Sequence, residues 1–307
     1  MAFPIEQIFA DLADGGGEPP DSRLIDLSNL KSEEVKLFEQ AWSGTEPQLR
    51  QQVISKLVDL AEDNIELNFD SIFISCLRDA DAEVRSKAIE GLWESEEASL
   101  VNLLIDMLEH DISEKVQATA ATALGKFAML TGLNKLRPCY ISSIEQALLA
   151  AIDGATKSVE VRCRALEAAA PLNFPEVKRA IMEAYQSQNI ELRISSIYAM
   201  GVNCDPAWLP ILLKELTSAD VEMRYEATKA CGELGEEVVV SYLSGLINDP
   251  SDEVALTAVQ AIGNIGGSEA RDFLEQCLSN PEESIIQAAE QALKEMEAEE
   301  DLFHFRA

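Results

Sequence analysis

The sequence contains few histidines and none of the common motifs of catalytic and metal-binding sites. It has two histidines, His110 and His304, and its six cysteines never form a C-x-x-C pair. This spacing argues against a zinc site and against a disulfide framework. No G-x-S-x-G motif, glycine-rich phosphate loop or H-E-x-x-H motif occurs. The sequence therefore predicts no catalytic residue, no metal site and no cofactor.

Basic residues and long apolar runs are also scarce. The chain carries 24 Lys and Arg against 55 Asp and Glu, a formal net charge of −31. Nucleic acids and anionic membranes are bound through Lys and Arg, so this charge predicts no nucleic-acid partner. No window holds the roughly 18–20 apolar residues that span a membrane, and residues 1–17 lack the basic segment of a signal peptide. We therefore predict a cytoplasmic protein without membrane insertion, whose charge serves solubility or a basic partner.

Aromatic residues make up only 6% of the chain, whereas alanine is abundant, and this composition favours closely packed helices. An apolar residue recurs in a repeated pattern at intervals of 35, 32, 45, 31, 31, 31 and 31 residues. We call these residues anchors and number other positions from them; they are Leu49, Val84, Val116, Val161, Leu192, Met223, Val254 and Ile285. Four equal intervals indicate a chain built from internal repeats.

Fixed positions around each anchor have a physical meaning. Position −5 is mostly Asp, Asn, Ser or Thr, which caps the next helix or shapes the turn before it. Position −1 is often Glu, which favours the positive end of the helix dipole. Positions +4, +7, +8 and +11 are small or apolar and define one buried helix face. Position +9 is glycine at Gly125, Gly201, Gly232 and Gly263, where close packing or a helix end must offset its cost of about 1 kcal/mol.

Three segments carry this pattern most clearly: DADAEVRSKAIEGL, SADVEMRYEATKACGELG and NDPSDEVALTAVQAIGNIG. They resemble HEAT repeats, and more closely the short HEAT-like repeats named after the phycobilisome lyases. The resemblance covers roughly residues 45–296 and implies an all-α fold, a right-handed α-solenoid of about eight antiparallel helix pairs. The predicted second helices are Leu100–Leu108, Ile144–Ile152, Val177–Tyr185, Trp208–Leu216, Val238–Ile247 and Ala270–Leu278.

We predict three regions along the chain. Residues 1–22 form an acidic amphipathic extension with a Gly/Pro linker, which either frays or docks on a partner or on its own solenoid. Residues 23–296 form the solenoid, regular from about residue 156. Residues 297–307 form an acidic and aromatic tail that caps the last repeat or acts as a docking motif. An insertion near 131–140 places Lys126, Lys135 and Arg137 in a small basic island.

The resemblance also brings two enzymatic possibilities. Deoxyhypusine hydroxylase, built on HEAT-like repeats, holds two irons with His-Glu pairs. Here His110 precedes Asp111 and His304 precedes Phe305, so that activity is disfavoured. The phycobilisome lyases attach or detach a linear tetrapyrrole at a cysteine of an antenna protein. No residue of this sequence identifies a bilin contact, and an accessory role of this kind remains the alternative function.

Two positions of the repeat are candidates for contacts that join the repeats or bind a partner. Position +1 carries Arg85, Arg162, Arg193 and Arg224, which in HEAT-type repeats form an internal ladder with acids or turn carbonyls of the neighbouring repeat. Position +2 lies on the opposite side of the helix from the buried positions. A partner-binding ridge on the concave surface would then contain Cys163, Ile194, Tyr198, Tyr225, Lys229 and Leu256. The alternative is that these residues pack between helices. The sequence thus favours a non-catalytic scaffold or adaptor for another protein, basic or amphipathic, of unknown oligomeric state.

Overall fold

The computed structural model describes residues 5–14, 20–132 and 135–306, apart from the side chains of residues 6, 11–14, 132 and 299–306. Within these ranges the chain is helical and contains no strand. None of the described helices is both long and apolar enough to cross a membrane. The fold is therefore the all-α solenoid that the repeat spacing predicts.

The chain divides into two compact units, Met1–Ala168 and Ala169–Ala307. The helices of the first unit are α1 (Ile5–Asp14), α2 (Asp21–Leu24), α3 (Ser32–Ser43), α4 (Pro47–Asp63), α5 (Asp70–Cys76), α6 (Ala82–Gly91), α7 (Leu100–His110), α8 (Glu114–Gly132), α9 (Pro138–Asp153) and α10 (Val159–Ala169). Those of the second are α11 (Pro175–Tyr185), α12 (Ile190–Asn203), α13 (Leu209–Glu215), α14 (Val221–Leu234), α15 (Val240–Leu243), α16 (Asp252–Ile265), α17 (Gly267–Cys277) and α18 (Glu283–Arg306). Short 3₁₀ turns cover Ile25–Leu27, Pro206–Trp208, Glu237–Val239 and Ser244–Asn248.

Each anchor lies in the first helix of a pair, the even-numbered helices from α4 to α18. From Val84 onward the anchors are buried. Within the second unit the first helices stack in the order α12, α14, α16 and α18. Each pair buries its apolar face against its neighbours, so the core runs along the stack.

The repeated glycines mark where neighbouring first helices come closest. A Cβ atom on Gly232 would lie 2.8 Å from the Cβ of Ala261 and 2.9 Å from its Cα. Gly201 meets Ala230 and Gly263 meets Ala292 in the same way. Position +9 of one repeat therefore packs on position +7 of the next, and close packing is the reason for the glycine.

Side chains at position −5 shape the turn before each helix. Their oxygens accept hydrogen bonds from the backbone N–H two residues later, at Asp79, Asp111, Ser187, Ser218, Asp249 and Asn280. The N-caps lie closer to the helices: Asp81, Asn189 and Asp220 accept from the first-turn N–H groups. Of the two roles predicted for position −5, the turn is the one observed.

The amphipathic N-terminal helix packs on its own unit. Ile5, Ile8 and Phe9 of α1 are buried, and the Phe9 ring meets Phe38 and Trp42 at centroid distances of 5.6 and 6.0 Å. Helix α1 therefore packs against α3. The predicted Gly/Pro linker extends to residue 22; its residues 15–19 lie outside the described residues, and α2 begins within it at Asp21.

Two local predictions need correction. The run Val238–Ile247 is a 3₁₀ turn, one turn of α-helix and another 3₁₀ turn, because β-branched residues precede Ser244 and Gly245 near its end. The chain after residue 296 continues α18 to Arg306 and does not turn back, while the side chains of Leu302, Phe303 and Phe305 lie outside the description.

The basic island at the insertion is engaged within its own unit. The Lys126 ammonium donates to the carbonyls of Leu92 and Trp93 at 3.2 and 2.7 Å, and also to that of Ser95. Lys135 forms an ion pair with Glu96 at 3.0 Å. These two bases therefore hold the end of α6 and the turn after it.

Candidate functional site

Several +1 arginines join one repeat to the next. Arg85 donates two hydrogen bonds to Asp111, from Nε and from Nη2, both at 2.7 Å. Its Nη1 also donates to the carbonyls of Asp79 and Ala80. Both charged side chains are only 9% exposed. This two-point geometry fixes the register between α6 and the turn before α8.

The same contact recurs where position −5 of the next repeat is aspartate. Arg224 binds Asp249 through Nε and Nη2, both at 2.8 Å, and Arg50 binds Asp79 at 2.7 Å. Arg162, whose next repeat has Ser187 at position −5, donates instead to the carbonyl of Ile152 at 2.8 Å. Arg193 lies within electrostatic reach of the buried Glu215. These +1 arginines thus face turns and acids inside the stack.

Ionisation of the ladder aspartates links stability to pH. The guanidinium of Arg224 holds the pKa of Asp249 below its ordinary value, although burial opposes this. Because the pKa of Asp249 is lower in the folded than in the unfolded protein, its carboxylate stabilises the fold. This contribution is fully present above the unfolded-state pKa of about 3.9 and is lost as the pH falls through the folded-state pKa.

Asp249→Asn is expected to lower the free energy of unfolding at pH 6, and this difference from wild type should shrink below pH 4. Urea unfolding at a series of pH values measures both quantities. A difference that stays constant from pH 6 to pH 3 contradicts the role of the Asp249 carboxylate.

The predicted ridge falls on one exposed helix face of the second unit. Positions −1, +2 and +6 of α12, α14 and α16 lie within about 60° of each other around the helix, opposite the buried side. We call this surface the α12–α16 face. Ile194, Tyr225 and Leu256 are half-buried at position +2, so part of each side chain remains accessible. At position +6, Tyr198 is half-buried and Lys229 is exposed.

Two neighbouring repeats are joined on this face by an aromatic contact. The Lys229 ammonium lies 5.4 Å from the centroid of the Tyr198 ring, within the range of a cation–π interaction. The side chains of Glu191, Glu222 and Glu253 at position −1 are exposed beside them. The face is therefore an apolar and aromatic band with an acidic border. Sequence reasoning assigned these glutamates only to the helix dipole, since their exposure beside the tyrosines is a property of the stacked helices.

The remaining ridge residue, Cys163, is placed differently. It is only 5% exposed in α10 of the first unit. A buried side chain offers no contact area, so Cys163 does not contribute to an accessible ridge.

The corresponding positions in α4 and α6 of the first unit are polar. In α4 they hold Gln48, Gln51 and Ser55, which line an open depression of about 700 Å³ together with Asp59 and Glu83. In α6, Ser86 at position +2 is buried and shares a hydrogen bond with Thr119 of α8 at 2.9 Å. The repeat therefore accepts polar side chains at these positions.

The described thiols and possible metal ligands are dispersed through the fold. All six cysteines are free thiols, and burial raises the pKa of Cys231 to about 12, which keeps this thiol protonated. In the described part of the chain no three His, Cys, Asp or Glu side chains are grouped to hold a metal ion.

Comparison with known proteins places these features in context. A profile for HEAT repeats matches residues 71–152 and 209–294, more than half of the chain. Among curated proteins, none matches the sequence.

Solved structures give the same fold. The complex of CpcE and CpcF of phycocyanin lyase from Nostoc sp. PCC7120 is similar with a TM-score of 0.53 at 16% identity, covering 87% of this chain and 96% of that one. YibA from Escherichia coli gives a TM-score of 0.51 at 17% identity, covering 89% and 96%. Importin beta gives a TM-score of 0.52 at 14% identity. The match covers 95% of this chain but only 46% of importin beta. Likeness at such identities extends to the fold alone.

Proposed function

The chain belongs to the HEAT-repeat family, and we propose that it is a non-catalytic scaffold or adaptor that binds another protein through the α12–α16 face. The single observation that carries this proposal is the contrast between α4 and the helices of the α12–α16 face. The same helix positions hold Gln51 and Ser55 in α4 but Ile194, Tyr198 and Tyr225 in α12 and α14. Since the repeat folds with polar side chains there, the apolar and aromatic band is not required for stacking.

The chemistry of this face favours a basic or amphipathic partner. Tyrosine supplies a large contact area with little side-chain entropy to lose and a hydroxyl that can form hydrogen bonds. The net charge of −31 attracts basic proteins over a distance, and such attraction raises the association rate more than the affinity. We also propose that the protein acts in the cytoplasm, a location that fits six free thiols.

Affinity capture from native lysate tests the proposal. The variant Tyr198→Ala, Tyr225→Ala should recover at least about tenfold less of a partner that wild type captures, because tyrosines at the centre of an interface often contribute 2 kcal/mol or more. The matched control is Tyr242→Ala, which removes a tyrosine 52% exposed on α15, away from the α12–α16 face. Thermal unfolding of both variants shows whether the fold is kept. Equal recovery by the double variant and wild type rules out this face as the binding surface.

The alternative is an accessory role in attaching a cofactor to a partner, as in the lyase of CpcE and CpcF. Its support is the similarity of fold to that complex. Incubation with a bilin, followed by absorption spectroscopy, separates the two functions. A scaffold leaves the bilin spectrum unchanged, whereas a lyase-like protein shifts it.

A further inference from the structure

A second surface, in the first unit, has the chemistry of a binding pocket for a cationic side chain. It is a cavity of about 280 Å³ between the end of α4, the start of α5 and the end of α6. This volume is just below the range of sites for drug-sized ligands, so it suits one side chain. The lining is apolar at Val58, Phe69 and Phe73, and two large apolar side chains stand at its edge in contact with solvent.

These two side chains are unusually exposed for their size. Trp93 is 58% exposed and Ile65 is 88% exposed. The other two tryptophans, Trp42 and Trp208, are buried. An exposed indole beside an apolar cavity is a common centre of protein recognition.

The cavity is rigid because long-range hydrogen bonds hold both of its walls. On one side, Asn29 N–H donates to the carbonyl of Asn68 at 2.7 Å, and Asn68 N–H donates to Ser28 Oγ at 2.9 Å. On the other side, Lys126 holds the backbone of Trp93 through its carbonyl. The pocket is therefore formed before any ligand binds, which lowers the entropic cost of binding.

The charged side chains that line the cavity are all acidic. Its lining contains Glu62, Asp70, Glu90 and Glu94 and no base. Glu90 pairs with Lys87 at 2.6 Å, but neither Glu62 nor Glu94 forms an ion pair within the described part of the chain. Lys126 lies behind the Trp93 wall, where its ammonium donates to backbone carbonyls and interacts electrostatically with Asp70. A cation entering the pocket therefore meets the carboxylates of Glu62 and Glu94, with which no described base pairs.

We propose that this pocket binds an arginine side chain of a basic, extended protein segment, with the guanidinium stacked on Trp93 and facing the rim carboxylates. Arginine fits better than lysine because its planar guanidinium stacks on aromatic rings and forms bidentate hydrogen bonds with carboxylates. The inference does not depend on the α12–α16 face, since every residue of the pocket lies in the first unit.

Titration with a fluorescein-labelled arginine–glycine peptide tests the proposal, with fluorescence anisotropy and the emission of exposed Trp93 as readouts. Trp93→Ala and Trp93→Leu should each weaken binding by about tenfold, because the leucine keeps apolar area but lacks the aromatic face. The same peptide with citrulline in place of arginine should not bind. Equal binding of both peptides, or full binding by Trp93→Leu, overturns the proposal.

A charge-matched pair of variants separates the pocket from the general field of the protein. Glu62→Gln, Glu94→Gln removes two pocket carboxylates, and Glu109→Gln, Glu114→Gln removes two exposed carboxylates elsewhere in the same unit. The first variant should weaken arginine-peptide binding several-fold more than the second. An equal loss in both variants means that the net charge alone attracts the peptide, and the pocket assignment is then wrong.

Discussion

Replacing Arg85 with alanine is expected to lower the free energy of unfolding by about 3 kcal/mol or more, because it leaves the buried Asp111 carboxylate without its two-point partner. The Arg85 and Asp111 side chains are each 9% exposed, so water cannot readily replace the lost hydrogen bonds. The carbonyls of Asp79 and Ala80 lose a donor in the same variant. Urea unfolding monitored by circular dichroism measures the change.

Arg164→Ala is the matched control for Arg85→Ala. Arg164 forms an ion pair with Glu167 but is 49% exposed, and exposed pairs contribute about 1 kcal/mol or less. Adding Asp111→Ala to Arg85→Ala should cost less than the sum of the single changes, since the two side chains act as one contact. If Arg85→Ala proves no more harmful than Arg164→Ala, the ladder does not hold the repeats together.

Gly232→Ala should also destabilise the protein, by about 1–3 kcal/mol, although alanine is the better helix former. The new methyl group would meet both the Cβ and the backbone Cα of Ala261 at less than 3.0 Å, so α14 and α16 must move apart. Thermal or urea unfolding measures this change against wild type.

Gly245→Ala provides the control, because a Cβ there meets nothing within 4 Å. It should be neutral or stabilising by up to about 1 kcal/mol. Combining Gly232→Ala with Ala261→Gly should restore part of the lost stability by moving the small residue to the facing helix. A stabilising effect of Gly232→Ala, like that of Gly245→Ala, contradicts close packing at this position.

The sequence predicts the stacking of the helices well because each repeat packs on the next through the same positions. The anchors, the small residues at +4 and +7 and the glycines at +9 all serve contacts that recur with the repeat, so periodicity reveals them. Family comparison and structure confirm the HEAT-type all-α fold.

Finer features depend on contacts that periodicity does not carry. Position −5 of the sequence fits a cap and a turn equally, and only the backbone conformation assigns the cap to Asp220 and the turn to Ser218. The pocket at Trp93 could not be predicted, since its walls are set by Ser28 and Lys126, which are distant in the sequence. Likewise, Cys163 at position +2 is buried and Lys229 at position +6 is exposed. Both follow from local packing that differs between repeats.

Site-specific photo-crosslinking tests the binding role of the α12–α16 face most directly. A benzophenone amino acid is placed at the position of Tyr225, or at that of Tyr242 as a control on α15, and cells are irradiated before purification. We expect a covalent adduct with a partner protein from the Tyr225 position and little or none from the Tyr242 position. An adduct from the Tyr242 position alone, or none from the Tyr225 position while the unmodified protein still captures its partner, would show that the partner binds elsewhere.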